Sequence, residues 1–274
     1  MQIPVLTDER IQSIVQSEVA YLNSWLMNME EQFDNCGIQI ARFGNACAFA
    51  LQRVSENPTF NRVIGLTTQD EGHIDSILQW YSENKIPCRI DLCPYQTNRD
   101  LLLSLIKHGL RESDYGTVLY GVPSPHISPL PPHIIVRKVH QRDLDLFSDL
   151  YAQGFIEFYG GSETNVKLIA DSAKVLYGHP GWHLYLAFVE EIPAAVALLH
   201  IQDQIAVLVA ATTVPQLRGK GCQTALIQQR IADAANAGCT LLVTQTRAGT
   251  ISQRNMEHAG LRIAYNRAVW ERLS

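Results

Sequence analysis

Two cations and two glycines stand just before a helix-forming segment, in the stretch PQLRGKGCQTALIQQRIADAANAGC at residues 215–239. The N-terminus of a helix presents unpaired N–H groups and the positive end of the helix dipole, and glycine lets a ligand approach the backbone closely. Arg218 and Lys220 add positive charge. These residue types at this spacing predict a site for phosphate or pyrophosphate. A basic turn that only caps the helix is the alternative interpretation, because short glycine motifs often occur without a ligand.

The loop matches neither of the two common phosphate-binding motifs. The pattern GxxxxGK[ST] is missing from the sequence, which excludes a P-loop. The glycine spacing does not form GxGxxG, and no acidic residue ends the following strand where a Rossmann fold would bind ribose. The strand before the loop also belongs to a meander of antiparallel strands and not to a first βαβ unit. We therefore expect a phosphate site of another class.

The elements around this loop predict an α/β domain with a mixed sheet, not a doubly wound fold. The run at 205–214 is almost entirely apolar and predicts a central strand covered on both faces. The hydrophobic patterns predict strands at 133–139, 182–190, 194–200, 205–214, 239–246 and 261–272, and helices at 141–160, 164–179, 221–237 and 252–260.

The first half of the chain repeats much of this order. Its patterns predict strands at 37–44, 46–54, 60–67, 87–94 and 112–121, and helices at 70–85 and 97–109. We interpret the order β-β-β-α-β-α-β in both halves as a tandem duplication, with two unrelated α/β domains as the alternative. Five prolines at 122–133 predict a stiff, extended connector. The predicted organisation is a domain at 1–122, a linker at 123–133 and a domain at 134–274.

Bulk composition excludes several classes of partner. The net charge of −5 creates no basic field for nucleic acid or for an acidic membrane. No apolar run reaches the roughly 18 residues of a membrane span, and the first residues do not form a signal-peptide pattern, so the expected location is the cytoplasm. The six cysteines contain no CxxC pair and are predicted to be small core residues, so no metal site is expected.

The basic loop and its surroundings resemble the GCN5-related N-acetyltransferase (GNAT) superfamily. The family signature R/Q-x-x-G-x-G/A follows the fourth strand and opens the third helix. Residues 218–223 align with it, with Gln223 at the last position, and a second frame starting at Gln216 uses the same loop. The segment SQRNMEHAGL at 252–261 is similar to the family's closing helix, with Leu261 in place of phenylalanine. The resemblance covers about 134–272 and implies two tandem GNAT domains.

This resemblance implies that the second half binds acyl-CoA. In the family, the loop amides hold the CoA pyrophosphate, and the pantetheine pairs with the edge of the fourth strand where it splays from the fifth. The residues of this chain at the corresponding positions are Ala211, Thr212, Thr213, Val214, Arg218, Gly219, Lys220, Gly221, Cys222, Gln223 and Thr224, with Ser252 and Asn255 near the thiol end.

The implied reaction is transfer of an acetyl group from acetyl-CoA to a primary amine by direct attack in a ternary complex, with no metal. It requires a base, a donor to the oxyanion and an acid for the leaving thiolate. Met256 occupies the position of the family's usual tyrosine acid, so Tyr265 is the candidate acid, with core packing as the alternative. His200 is the candidate base, with a solvent-exposed strand end as the alternative. Glu157 and Tyr159 are the candidate acceptor contacts.

The first half has Gln69-Asp70-Glu71 where the second half has its basic loop. Two carboxylates there would repel a pyrophosphate, so the first half is predicted to be a degenerate GNAT-like domain that walls the substrate cleft or is purely structural. The expected acceptor is a small-molecule or peptide amine, without nucleic acid or membrane partners, and a homodimer is left open. A non-catalytic acyl-CoA-binding or regulatory protein that has lost its acid is the alternative function, and a non-enzymatic scaffold is the third.

Overall fold

The computed structural model describes residues 3–127, 129–158 and 163–272. The chain divides into two compact units. The C-terminal unit comprises Met1–Pro4, Leu119–Gln245 and Ile251–Arg262, and the N-terminal unit comprises Val5–Val118, Thr246–Thr250 and Ile263–Ser274. Each unit combines helices with a β-sheet, so the α/β class with a mixed sheet is confirmed.

In chain order, the helices and strands are as follows. They are α1 (Asp8–Gln32), β1 (Ile38–Phe43), β2 (Ala46–Leu51), β3 (Arg62–Ile64), α2 (Ile74–Glu83), β4 (Arg89–Leu92), α3 (Arg99–Lys107), β5 (Leu110–Gly121), β6 (Ile134–Lys138), α4 (Leu144–Phe155), α5 (Glu163–Lys174), β7 (Trp182–Val189), β8 (Ile192–Gln202), β9 (Ile205–Thr213), α6 (Cys222–Asn236), β10 (Leu241–Arg247), α7 (Ile251–His258) and β11 (Arg262–Arg272). Every predicted strand and helix is present, with ends that shift by a few residues.

Helix α1 is the one long element that the sequence patterns above left unassigned. Thr7 caps its N-terminus, because the Thr7 hydroxyl accepts a hydrogen bond from the Arg10 N–H at 3.3 Å. Its buried residues recur at helical spacing from Ile11 through Leu22 to Met29, so one face packs into the core. The periodicity that predicts this helix is therefore present in the sequence.

The C-terminal unit contains the strand order β10-β9-β8-β7-β6. Strands β6 to β9 form an antiparallel meander, and β10 joins β9 in parallel. Helices α4 and α6 both contact β9, and the apolar residues of α6, including Leu226 and Ile227, pack in one core with Ala206 and Leu208 of β9. Strand β9 is thus a central strand, as its apolar sequence predicted.

The N-terminal unit contains the strand order β1-β2-β3-β4-β11-β5. Its strand β11 pairs antiparallel with β4, with Ala268 opposite Leu92 and Trp270 opposite Ile90. This strand was predicted to belong to the domain at 134–274, whereas the structure places Ile263–Ser274 in the unit of the first half. The physical reason is burial, because Trp270 packs in the core formed by β2, β3, β4 and α2.

A buried ionic cluster also ties β11 to this unit. Arg267 of β11 and Arg62 of β3 both form ion pairs with Glu18 and Asp91, at N–O distances between 2.7 and 3.2 Å. Two guanidinium groups and two carboxylates balance in charge, which offsets much of the cost of removing them from water. The pKa of Asp91 is lowered, since the Arg267, Arg62 and Arg89 cations outweigh the effect of burial, which acts in the opposite direction.

Three further sequence predictions concern the whole chain. All six cysteines are free and buried, so their prediction as core residues is confirmed. The described part of the proline-rich segment between Gly121 and Ile134 contains neither helix nor strand. Among the described residues, no helix has the length and apolar character needed to cross a membrane.

Candidate functional site

Strands β9 and β10 of the C-terminal unit pair over only part of their length. Residues Ile205–Leu208 pair with Leu241–Thr244, and no later residue of β9 has a β10 partner in the register. Strand β9 nevertheless continues to Thr213 and remains paired with β8 on its other side, where Ala211 lies opposite Ala197. One backbone edge of residues 209–213 is therefore open. An extended ligand that carries amide groups could complete the ladder there.

The opening begins at a β-bulge. Ala197 of β8 lies opposite Ala211, but Leu199 lies opposite Leu208, so two residues of β9 face the single residue Leu198. A bulge of this kind bends the strand and increases its twist. At the same position, the Thr244 hydroxyl donates a hydrogen bond to the Leu208 carbonyl at 2.9 Å. The bulge, the last β9–β10 pair and this hydrogen bond all lie at Leu208, so β9 diverges from β10 at that residue.

The glycine loop leads from the end of β9 into α6. Gly219 and Gly221 have φ angles of +78° and +98°, in the left-handed region that glycine adopts without strain. A Cβ atom at either position would meet no heavy atom within 4 Å, so the backbone angle, not a lack of space, requires glycine. The backbone of this loop is accordingly accessible on the side where those Cβ atoms would stand.

The N-terminus of α6 has no side-chain cap. Gly221 occupies the N-cap position and supplies no side-chain cap, and the first turn contains no acidic residue. The N–H groups of residues 222–224 therefore lack the partner that a capping serine or aspartate would supply. Together with the helix dipole, these groups favour an anion.

The two cations of the loop have different surroundings. Lys220 is exposed and forms no ion pair with any residue that the structure describes. Arg218 pairs with Glu157, with Nη1 and Oε2 3.1 Å apart, and its Nε donates to the Thr213 carbonyl at 3.3 Å. Both partners of this ion pair are largely exposed, so it contributes little to stability. Lys220 is thus the cation that is free for a ligand.

Solved structures resemble the chain over nearly its whole length. A GCN5-related N-acetyltransferase from Kribbella flavida matches with a TM-score of 0.66 and 13% identity, over 94% of this chain and 95% of that one. A tandem GNAT protein from the clavulanic acid biosynthesis pathway matches with a TM-score of 0.58 and 10% identity, over 99% and 98% of the two chains. The chain has the tandem GNAT fold. A conserved Staphylococcus epidermidis protein of unknown function matches at 0.62 and 7% identity, over 90% and 100%. No protein-family model and no curated protein sequence matches.

Within the GNAT fold, the residues predicted to bind CoA lie in one region of the C-terminal unit. Residues 211–213 end β9, the Val214 N–H donates to the Ala194 carbonyl at 2.9 Å, and residues 218–224 form the loop and the first turn of α6. Cys222 is buried and its burial raises the pKa of its thiol, so only its backbone is available to a ligand. Ser252 and Asn255 are half-buried on α7.

His200 does not lie near the open edge. It pairs with Val207 on the part of β9 that β10 still covers, about 20 Å along the strand from Thr213 at the usual rise per residue. Its ring is 3% exposed and packs on Trp182, with ring centroids 4.7 Å apart. Burial and the neighbouring His183 lower the pKa of His200 to about 4. The structure thus contradicts a solvent-exposed strand end, and the burial of His200 away from the open edge does not support a catalytic base.

Tyr265 belongs to the N-terminal unit, on β11. It is 6% exposed, its ring meets Tyr95 edge-on at 6.2 Å, and its hydroxyl is hydrogen-bonded to the Cys93 thiol. Burial raises its pKa well above the ordinary value of 10.0. These contacts support the packing interpretation of Tyr265 over the catalytic one. Met256, which the resemblance aligns with a tyrosine acid, is buried in the core of the C-terminal unit.

The two candidate acceptor contacts have different outcomes. Glu157 lies in the turn after α4, where it is exposed and paired with Arg218. Tyr159 lies outside the described residues.

One buried polar residue near the open edge was not predicted from the sequence. Arg230 of α6 is fully buried beneath the bulge of β9. Its position in the polar sequence QQR gave no signal of burial.

The segment that corresponds to the basic loop in the N-terminal unit is closed by its own carboxylate. Asp70 is 2% exposed and accepts hydrogen bonds from the Thr67 N–H at 2.9 Å, the Thr67 hydroxyl at 2.7 Å and the Asn45 N–H at 2.9 Å. Burial raises its pKa, but these hydrogen bonds outweigh that effect and lower it. Asp70 therefore points inward as a cap, whereas the sequence analysis expected it to repel a ligand from the surface. Glu71 is exposed.

Proposed function

We propose that the protein is an N-acetyltransferase that moves the acetyl group of acetyl-CoA to a primary amine by direct attack in a ternary complex. One observation carries the proposal: the open backbone edge of residues 209–213 leads directly into the uncapped N-terminus of α6. The first feature suits a ligand with amide groups, and the second suits a ligand with phosphates. CoA carries both groups in that order along one molecule.

The donor groups of the C-terminal unit fit CoA. The amides of residues 219–224 and the Lys220 ammonium would hold the pyrophosphate, and the edge of residues 211–213 would pair with the pantetheine. When bound, acetyl-CoA supplies the thioester carbonyl that the amine attacks. Ser252 and Asn255, half-buried on α7, remain the proposed contacts near the thiol end. The N-terminal unit is proposed not to bind CoA in this way, because the Thr67 hydroxyl already accepts from the Gln69 N–H at the start of the corresponding turn and donates to the buried Asp70 carboxylate.

The chain's own residues are proposed to bind and orient the reactants. Effective concentration and orientation alone lower the barrier to amine attack substantially. A cationic acceptor amine is attracted by a carboxylate, so Glu157 remains a proposed acceptor contact, and Tyr159 remains one from its place in the sequence. The acceptor is proposed to be a small molecule or a peptide.

A specific observation favours the second function, a non-catalytic acyl-CoA-binding or regulatory protein. Met256 occupies the place of the family's acid and cannot donate a proton, and both candidate replacements, His200 and Tyr265, are buried. A protein of this kind would keep the acyl-CoA site without a proton relay to the acceptor.

Two measurements on the full chain separate these functions. Isothermal titration with CoA measures binding, and release of the CoA thiol from acetyl-CoA in the presence of a panel of primary amines measures turnover. Binding with turnover supports the acetyltransferase. Binding without turnover on any amine favours the second function, and a lack of CoA binding contradicts both.

A further inference from the structure

Arg230 lies directly beneath the bulge at which β9 leaves β10. Its side chain is 0% exposed. Nη1 donates to the Leu198 carbonyl at 3.0 Å and lies 3.5 Å from the Ala210 carbonyl, and Nε donates to the Leu226 carbonyl of its own helix at 3.1 Å. Leu198 and Ala210 lie inside the register shift, between the pair of Ala197 with Ala211 and the pair of Leu199 with Leu208. The guanidinium therefore bonds to carbonyl groups that the bulge removes from the regular ladder.

The charge of Arg230 has no carboxylate partner among the described residues. Asp233, three residues along α6, is bonded instead to the Tyr185 hydroxyl at 2.8 Å, to Gln229 Nε2 at 2.8 Å and to Lys138 Nζ at 3.1 Å. Arg230 Nη2 is buried without a hydrogen-bond partner in the part of the chain that the structure describes.

This arrangement is costly for a residue that only fills space. Burial lowers the pKa of Arg230 to about 10, which records the cost of removing its charge from water, although the group stays protonated at neutral pH. An apolar side chain of similar volume often replaces a buried charge with no loss of stability. The contacts of Arg230 with the bulge therefore point to a role at the site.

We propose that Arg230 is a positioning residue of the acyl-CoA site, which holds the bulge, ends the pairing of β9 and β10 at Leu208, and so keeps the edge of residues 209–213 open. The inference rests on the proposed function. Without Arg230, the regular ladder would offer the carbonyl groups of Leu198 and Ala210 their best partners, and β9 would straighten toward β10.

The buried cation also has an electrostatic effect on the same segment. A full positive charge in a low-dielectric interior acts over several ångströms with little screening. Arg230 places this charge beneath the strand whose open edge leads to the helix N-terminus. Both effects favour an anionic acyl carrier at the edge of β9.

Two variants of Arg230 and one matched control test the inference. Arg230→Met removes the charge and the hydrogen bonds while keeping a long side chain, and Arg230→Lys keeps the charge but loses the planar fork. Tyr185→Phe is the control, because the Tyr185 hydroxyl bonds to Asp233 of α6 and the carbonyl groups that Arg230 contacts keep that partner. Each is compared with the wild type by titration with CoA, by hydrogen exchange without ligand, and by urea unfolding.

We expect Arg230→Met to bind CoA roughly tenfold more weakly, or worse, with Arg230→Lys between it and the wild type. In the ligand-free Met variant, the amides of residues 209–213 that face away from β8 should exchange more slowly, because β10 becomes their partner. Tyr185→Phe should lose stability and keep its CoA affinity.

Wild-type affinity for CoA in a folded Arg230→Met variant, with unchanged exchange at residues 209–213, would overturn the inference and leave Arg230 a structural role only. If the Met variant does not fold, Arg230→Lys decides, and wild-type affinity and exchange in that variant overturn it in the same way. Failure of the wild type to bind CoA would instead contradict the proposed function. The exchange comparison, made without ligand, would then still decide whether Arg230 holds the edge open.

Discussion

The two units begin corresponding helices in opposite ways. In the C-terminal unit, Gly221 leaves the first turn of α6 without a side-chain cap. In the N-terminal unit, Thr67 and Asp70 form a capping box in the short 3₁₀ turn that leads into α2, and the Asp70 carboxylate also accepts a hydrogen bond from the Asn45 N–H. The same position in the element order is thus open to an external anion in one unit and satisfied by an internal anion in the other.

The two strands that flank each of these helices in the chain also pair differently in the two units. In the C-terminal unit, β9 and β10 part after Leu208 and leave a backbone edge open. In the N-terminal unit, the neighbouring strands β3 and β4 are joined by the buried ion pair between Arg62 and Asp91, at 3.0 Å. Strand β3 ends at Ile64, which is itself paired with Asp91, so β3 has no unpaired extension like that of β9.

The largest expected effect comes from placing an acid at the open helix N-terminus. Thr224→Glu should weaken CoA binding by about 30-fold, close to 2 kcal/mol, because the carboxylate occupies the first-turn amides and repels pyrophosphate. The thermal midpoint should stay equal or rise, since an acid in the first turn stabilises a helix. Thr224→Gln is the matched control and should bind normally. Thr224 suits this test because it is exposed, whereas any substitution of Gly221 strains a φ of +98°. Wild-type affinity in a folded Thr224→Glu variant would disprove the loop assignment.

Removing the Asp70 carboxylate should lower the free energy of unfolding without changing the affinity for CoA. Asp70→Asn should lower the free energy of unfolding by about 2 kcal/mol in urea titrations, because the loop amides lose a charged acceptor. CoA affinity should not change. Glu71→Gln, which neutralises the adjacent exposed acid, is the control and should have no measurable effect on either quantity. A change in CoA affinity with Asp70→Asn alone would show that the two helix starts are not independent.

The acid side of the pH profile provides a third test. The folded-state pKa of His200 is lowered from 6.5 to about 4, so unfolded chains bind an extra proton in this range and stability falls as the pH drops from 6.5 to 4. His200→Gln should flatten this part of the unfolding profile while leaving any turnover at neutral pH within about twofold. Below pH 4 both proteins should lose further stability, since the lowered pKa values of Asp70 and Asp91 mean that protonation of these carboxylates opposes folding. A large loss of turnover would restore His200 as a catalytic candidate.

The smallest expected effect concerns the ion pair at the loop. Glu157→Gln releases Arg218 from its carboxylate partner, so CoA should bind about two- to threefold more tightly, as expected for an exposed pair. Asp149→Asn, which changes an exposed acid on α4 that pairs with Lys167, is the control for net charge. Equal affinity gains in both variants, measured by titration at the same salt concentration, would mean that only overall charge matters.

Local patterns predicted most of the fold and the loop of the candidate site. The apolar run of β9 predicts a buried strand, and the glycines before α6 predict a turn with positive φ angles. Both predictions are possible because burial and φ preference depend on single residues and their near neighbours. The α1 periodicity was also present in the sequence. By contrast, the pairing of β11 with β4 depends on strands far apart in sequence, and an apolar run does not specify its partner.

The errors in the candidate site have the same origin. His200 looks like a titratable group at a strand end, and only the position of Trp182 on another strand reveals its burial. The residues around Arg230 are typical of an exposed, polar helix face. Its burial could not be predicted because the carbonyl groups that it contacts come within reach only in the folded sheet. The inward turn of Asp70 likewise depends on Asn45, which lies 25 residues earlier in the chain. Contacts across such distances cannot be derived from local propensity.

The position of β11 also determines when the first half of the chain can fold. Protein synthesis produces residues 5–118 early, but the strand that lies between β4 and β5 is made only after residue 262. Until then, β4 and β5 each have an unpaired edge, and Arg62 with its two acidic partners lacks the second cation, Arg267. A nascent chain with open strand edges is prone to associate with its neighbours. The first half can therefore be completed only after the second half has been synthesised, and not when residues 5–118 alone are present.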